Sequence, residues 1–365
     1  MMKDRYPDRR QRLWRSVRKA GADALLVTDF TNVTYLTGFS GDDSYLLVHG
    51  KGQVIISDGR YTTQLDEECP GLERFIRPTG MTMLEATTKV LRSARSRLLA
   101  IEGDSMTVSA RDRLAKDLPR LEIEATSAVV EQLRRIKDRD EIAAIRVAIR
   151  CAEKAFAVLQ ASLRPEKTEK QVADELEHQM RVFGAGGAAF PSIVAVGGRA
   201  ALPHARPGKA TIGSSDLVLV DWGADAGPYK SDLTRVLITG KISPKLERIY
   251  RVVLNAQREA IAAIRPGVAV SDVDRAARHV IEKEGFGRYF GHGLGHGVGM
   301  QVHEAPRLGP KMSGSLRPGM VVTVEPGIYL PGWGGVRIED DVLVTRAGHE
   351  VLTGVPKQLE EMVVR

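Results

Sequence analysis

Residues 291–304 read GHGLGHGVGMQVHE and hold His292, His296 and His303, three of the chain's eight histidines. Five glycines separate them. A glycine inside a helix costs about 1 kcal/mol relative to alanine, so the stretch reads as a loop or a bent strand. Glycine also lets the backbone pass close to another group. Neutral imidazole ligates zinc, manganese, iron or cobalt and can shuttle protons. A histidine alone is more often a satisfied core or surface residue. Here three acid-bearing runs accompany it: 217–235 (LVLVDWGADAGPYKSDLTR), 321–329 (VVTVEPGIY) and 335–344 (GVRIEDDVLV). A buried, unpaired carboxylate is costly and needs a cation, a hydrogen-bond network or a metal. Asp221, Asp232, Glu325 and Glu339 with His296 make an oxygen-rich set suited to two divalent ions sharing bridging carboxylates.

Strands must position these groups. Asp221 and Asp232 flank residues 224–227, with aliphatic and β-branched runs on either side. Two paired strands joined by a short loop would carry both aspartates to one cavity. A single such Asp could instead cap a turn. Glu325 precedes Pro326, which stops a strand ladder and leaves the carboxylate at the strand's end. In GVRIEDD, strand alternation places Arg337, Glu339 and Asp341 on one face and Val336, Ile338 and Asp340 on the other. Arg337 can then orient the neighbouring carboxylate, bind a substrate carboxylate as a fork, or form an edge-strand ion pair.

Together these runs resemble the ligand pattern of the pita-bread metallopeptidases: methionine aminopeptidases, aminopeptidase P and prolidase. The order Asp, Asp, His, Glu, Glu is complete. The resemblance runs from about Arg139 to the C-terminus. A weaker one likens the N-terminal part to the companion domain of aminopeptidase P, prolidase and creatinase. It implies that Asp221 ligates one metal, Asp232 and Glu339 bridge both, and His296 and Glu325 hold the other. It makes Glu325 the general base as well. His204, in the Leu202-Pro203-His204 loop, and His303 match histidines that contact the scissile amide and the tetrahedral intermediate. Such contacts suit a departing amine and a developing oxyanion. His292 matches an outer histidine, Tyr329 a tyrosine near the site, and Arg337 a site arginine.

The implied cofactor is two divalent ions, manganese first, with cobalt or zinc as alternatives. The implied reaction is attack of a metal-bridging hydroxide on an Xaa-Pro bond, in dipeptides or at the N-terminus of short peptides. One alternative is a creatinase-like hydrolase of a non-peptide C–N bond. Another is a catalytically inactive pita-bread binding protein. The intact ligand set argues against both. The family's habit implies a homodimer.

The implied fold is an α/β, creatinase/prolidase-like N-terminal domain over residues 1–130, then a pita-bread α+β domain over 131–365. In the first, 21–28 reads as a buried strand, 43–48 and 53–57 as a hairpin, 82–98 as a helix and 99–102 as a strand. Asp58, Arg60 and Tyr61 read as a turn. A long helix follows from Arg139 to about Leu163. The second domain holds a weak repeat: Arg164-Pro165, Val172, His178 and Gly184 recur as Arg265-Pro266, Val273, His279 and Gly285. The recurrence indicates a pseudo-twofold duplication around a central site.

With 53 Lys and Arg against 46 Asp and Glu, the net charge is +7. The basic tract over residues 9–19 spaces Leu13 and Val17 as i, i+4, which reads as an amphipathic surface helix rather than a nucleic-acid site. Two cysteines make no disulfide framework. Neither a secretory leader nor an 18-residue apolar run is present, so the expectation is a cytoplasmic protein acting on a small peptide, without membrane or nucleic acid.

Overall fold

The computed structural model describes residues 5–364, and the chain divides into two units, Met1–Arg134 and Arg135–Arg365. The first unit begins with α1 (Arg5–Lys19), β1 (Ala24–Val27) and α2 (Phe30–Thr37). Leu13 and Val17 are buried as their spacing predicts, but so are Arg9 and Arg10. Arg9 Nη1 donates to the Tyr35 carbonyl at 3.0 Å and Arg10 Nη1 to the Leu36 carbonyl at 2.8 Å. The last carbonyls of a helix have no partner within it and carry partial negative charge, so two of the basic residues serve as caps and not as solvated charge.

Next come β2 (Tyr45–His49), β3 (Gly52–Asp58), α3 (Thr62–Glu68), β4 (Glu73–Arg77), α4 (Met83–Ala94), β5 (Leu98–Glu102), α5 (Val108–Asp117), β6 (Glu122–Thr126) and α6 (Glu131–Arg134). They build a six-stranded mixed sheet in the order β4-β3-β2-β1-β5-β6. β1, β2 and β3 run antiparallel, with the expected hairpin between β2 and β3; β5 joins β1 in parallel. Helix α4 stops sooner than its pattern suggests, because Arg95 turns to a φ of 56° and donates its N–H to Leu91. The Asp58 turn is an ion-pair node: its carboxylate lies 2.8 Å from both Arg60 and Arg77.

The second unit opens with α7 (Arg139–Ser162) and α8 (Glu169–Val182), each started by a capping box, Asp138 with Glu141 and Thr168 with Gln171. Then follow β7 (Gly187–Ala188), β8 (Ile193–Val196), β9 (Leu217–Trp222), β10 (Ala224–Ala226), β11 (Tyr229–Lys230) and β12 (Leu233–Ile238). A second helix pair, α9 (Pro244–Ala263) and α10 (Val270–Lys283), precedes β13 (Gly295–Gly297), β14 (Glu304–Leu308), β15 (Val321–Val324), β16 (Gly327–Leu330), β17 (Gly334–Arg337), β18 (Asp340–Val344) and β19 (His349–Val351). Each half is thus a helix pair followed by antiparallel strands, ordered β12-β9-β8 in the first and β14-β13-β15-β18-β19 in the second. This is the mixed pita-bread layout, and the repeated Arg-Pro pairs fall between the helices of each pair.

Two local readings change. The connection from Asp221 to Asp232 is not a plain short loop: it contains the β10–β11 hairpin, which pairs with β7. GVRIEDD is not one strand either. β17 pairs with β16, the chain steps across Ile338 and Glu339, and β18 pairs with β15. Glu339 forms an isolated bridge with Thr234 at that step. A sheet change within seven residues leaves no mark on the alternation.

Arg235 anchors the step from behind. It is fully buried on β12 and donates to the carbonyls of Glu339 (2.6 Å), Val355 (2.6 Å) and Pro356 (2.9 Å). It also pairs with Asp340 at 2.8 Å. Asp340 further accepts from Thr353 and Gln257, both at 2.7 Å, and from Lys357.

Two outcomes follow. Arg235→Met leaves Asp340 short of its buried partner and should cost about 3–5 kcal/mol in denaturant unfolding of the second unit; a loss within experimental error would contradict the anchor. Arg60, through its side-chain and backbone hydrogen bonds and its charge, with a smaller help from the Arg77 charge, holds Asp58 down to about 2 from its usual 3.8. A depressed carboxyl contributes stability that is full above the unfolded value and lost as pH falls through the folded one. Wild type should therefore lose its stability advantage over Asp58→Asn between pH 4 and pH 2. A constant difference across that window would refute the pairing.

Candidate metal centre

The centre forms where β9, the entry to β12, β13, the end of β15 and the β17–β18 step converge. Trp222 fixes β9: it stacks on Phe156 of α7 with ring centroids 4.3 Å apart, and its Nε1 donates to Ala152. Asp221 pairs with Thr234 across β9 and β12. β13 can lie in its narrow slot only because Gly295 and Gly297 have no side chain. A Cβ there would meet the Thr323 carbonyl at 2.1 Å and the Ala305 carbonyl at 2.3 Å.

His296 is buried on β13. Its Nδ1 lies 3.1 Å from the Gly297 carbonyl, which can only accept, so this nitrogen carries the proton. Nε2 then presents a bare lone pair to Glu325 Oε1 at 3.3 Å and Asp232 Oδ2 at 3.7 Å. An acceptor facing two acceptors needs a cation between them. Single ligand atoms of Asp232, His296 and Glu339 all lie within 4.8 Å of one another. Asp221 and Glu325 stand beside this trio. Asp221 Oδ1 is buried without a hydrogen-bond partner. Glu325 is anchored by the Thr323 hydroxyl at 3.3 Å, and its backbone N–H donates to Leu294.

The electrostatics agree with the donor count. Burial, then repulsion from neighbouring carboxylates, raises Asp232 and Glu339 well above the usual range. Burial raises Asp221 too, against the opposing charge of Arg337. Carboxylates this close cannot all ionise without added positive charge, which divalent ions would supply. The residues present fit such ions.

A second layer of groups orients the first. Arg337 is buried and fully engaged: Nη2 donates to Asp221 at 2.5 Å, Nε to the Thr234 hydroxyl at 3.1 Å and Nη1 to the Tyr329 hydroxyl at 2.8 Å. Of the readings open to it, this geometry supports the orienting one. The Thr234 hydroxyl in turn donates a hydrogen bond to Glu339 Oε2 at 2.6 Å. His292 Nδ1 lies 2.7 Å from the Gly293 carbonyl, so its Nε2 accepts from Tyr329 at 2.9 Å. His292 thus reaches the centre only through Tyr329 and Arg337. Burial pushes Tyr329 up to about 12, which keeps it a donor. Asp341 accepts from the Asp232 backbone N–H at 3.2 Å.

Two histidines sit at the opening. His303 is exposed and packs edge-on against His296 with centroids 4.3 Å apart. Partial burial, then the nearby basic groups, lowers it to about 4, so it is neutral near pH 7. His204 is exposed and lies near enough to Asp221 and His303 to interact with both electrostatically. The His303 loop folds over a buried ion pair: Lys137 Nζ meets Glu304 Oε2 at 3.0 Å, and Glu304 Oε1 accepts from the Gln301 N–H.

Several of these groups escaped the sequence reading. Thr234 was within reach, because two-residue alternation from Asp232 puts it on the same face. Lys137 lies 167 residues from Glu304 and offered no signal. Arg307 stands directly across from His296 in the β13–β14 register, is exposed, and makes no ion pair among the described residues. Only the register reveals it.

The comparisons with known proteins concur with this geometry. Residues 143–346 match the model of metallopeptidase family M24, and residues 9–136 match the creatinase/prolidase N-terminal domain. An uncharacterised peptidase of Bacillus subtilis, YqhT, is 40% identical over 93% of this chain and 96% of its own length. The structure of an Xaa-Pro dipeptidase from Bacillus anthracis superposes with a TM-score of 0.94 at 38% identity, covering 97% of this chain and 99% of that one. An X-Pro aminopeptidase from Thermotoga maritima gives 0.87 at 35% identity, covering 94% and 99%. The chain belongs to metallopeptidase family M24 and carries that family's creatinase/prolidase N-terminal domain.

Proposed function

We propose that the protein is an Xaa-Pro dipeptidase working with two divalent ions, held by Asp221, Asp232, His296, Glu325 and Glu339. The observation that carries this reading is the bare Nε2 of His296 facing Asp232, Glu325 and Glu339 beside the orphaned Asp221 Oδ1. Bound ions supply an acidified water and Lewis-acid polarisation of the scissile carbonyl. The protein's own groups do the rest. Glu325 takes the proton from the attacking water and delivers it to the departing proline nitrogen. That nitrogen belongs to a tertiary amide, so it cannot leave as a neutral amine without gaining one. His303, neutral at working pH, donates to the developing oxyanion, and His204 holds the scissile amide from the other side of the opening.

Arg307 favours the dipeptidase over an aminopeptidase. A dipeptide carries its carboxylate next to the scissile bond, and an unpaired guanidinium opposite His296 is placed to bind it. The second reading, an Xaa-Pro aminopeptidase, has the support of the Thermotoga maritima structure's similarity. The creatinase-like and binding-only alternatives gain nothing from the complete donor set.

Two experiments test the proposal. Chelated protein given back manganese, cobalt or zinc should cleave an Xaa-Pro dipeptide, cleave Xaa-Pro-Yaa more weakly and leave Met-Ala intact. Asp232→Ala should abolish the restored activity. Absence of hydrolysis in the metal-loaded protein would sink the peptidase reading. Arg307→Ala should raise KM for the dipeptide at least ~10-fold and change that for Xaa-Pro-Yaa little, since a lost charge-assisted contact is worth at least about 1.4 kcal/mol. Equal effects on both substrates would favour the aminopeptidase.

A further inference from the structure

One buried carboxylate outside the centre has no part in the chemistry above. Glu169 stands in the first turn of α8 and is fully buried. Its Oε1 accepts from the Val196 N–H at 2.8 Å, and its Oε2 from the Gly208 N–H at 2.7 Å. Arg199 Nε lies 2.9 Å from both oxygens. The same guanidinium reaches on through Nη2 to the Arg206 carbonyl at 2.5 Å. The main chain reinforces the join, with the Glu169 N–H donating to Ala210 and the Lys170 N–H to Gly208.

Val196 and Gly208 bound the segment 197–207, and that segment carries His204. Within it the Leu202 N–H donates to Arg199 and closes a short 3-10 turn over Gly197–Ala201, and the Ala205 N–H donates to Leu202. Leu202 itself is 53% exposed. The segment is held where Gly197, Ala200 and Ala205 are buried; its exposed part, with Leu202 and His204, takes its position from the ends and from whatever spans them. One carboxylate satisfies the N–H groups at both ends and the arginine between them. An acceptor-only group suits this place, because every partner is a donor. Its charge also suits the start of a helix.

We propose that Glu169 is a positioning residue that clasps the two ends of segment 197–207 and, through Arg199, sets where His204 stands at the mouth of the metal centre. This rests on the reading of His204 as a substrate-contacting group. Glutamine at position 169 keeps the volume but turns an N–H₂ toward one of the donors, so it opens one side of the clasp.

The test uses the full-length, manganese-loaded protein. Hydrogen exchange reads the segment, manganese titration reads the centre, and kcat and KM on an Xaa-Pro dipeptide read the reaction. In Glu169→Gln, amides of 197–207 should exchange about tenfold faster or more, as expected for losing a hydrogen bond to a charged group. Manganese affinity should hold within about twofold, and kcat should fall roughly tenfold. Adding Glu169→Gln to His204→Ala should cost no further activity, because the two act on one group. Arg199→Ala, at a more exposed position, should repeat the pattern more weakly and keeps the test alive if Glu169→Gln folds poorly. Unchanged exchange of 197–207 in both variants would overturn the clasp. A loss additive with His204→Ala, or a fall in manganese affinity, would overturn positioning through His204. Full activity of His204→Ala alone would refute the role given to that histidine and the positioning with it, while the exchange data still decide the clasp.

Discussion

Crowded negative charge is the constraint on which the second unit depends. Asp221, Asp232, Glu325 and Glu339 meet around His296, and Arg337 is the buried guanidinium set against them. Two like charges 4 Å apart repel by about 4 kcal/mol at an effective dielectric near 20. Several such pairs would rival the 5–15 kcal/mol that typically holds a domain together. The fold tolerates them because strands, ladders and the Arg235 anchor fix their backbones before the charges are counted. A site built this way is held open for cations and cannot relax by collapsing.

The same logic separates rigid from adjustable parts. The candidate ligands sit on strands or at strand ends, with Thr234, Arg337 and Asp341 orienting them. The histidines that would meet substrate sit on loops, and each loop is tied to a buried glutamate: Glu304 with Lys137 beneath His303, and Glu169 with Arg199 beneath His204. On the proposed function, metal affinity and substrate handling would fall to different mechanical elements. Variants of one set need not disturb the other.

Much of this was legible in the sequence. The four carboxylates among the candidate ligands stood out because an acid inside a β-branched run is anomalous, and His296 because it lies in a histidine- and glycine-rich stretch. Glycine alternation around His296 likewise pointed to close backbone approach, and the slot beside Thr323 and Ala305 shows why. What stayed hidden depends on register and long-range closure. Arg307 becomes interesting only once β14 is seen opposite His296. Lys137 and Glu304 look like ordinary surface charges until the fold buries them together. Arg9 and Arg10 read as solvated helix charge, yet they cap α2 because the last turn of that helix happens to end beneath them. The strand change at Ile338–Glu339 was invisible, since alternation continues through it.

The central claim is that the carboxylate cluster is a two-cation site on which hydrolysis depends. The most direct measurement titrates manganese into chelated protein while bound metal and hydrolysis of an Xaa-Pro dipeptide are followed in the same samples. The account predicts that activity climbs with occupancy and levels off at two ions per chain. Full activity after exhaustive chelation, or a plateau reached with no metal bound at these residues, would contradict it.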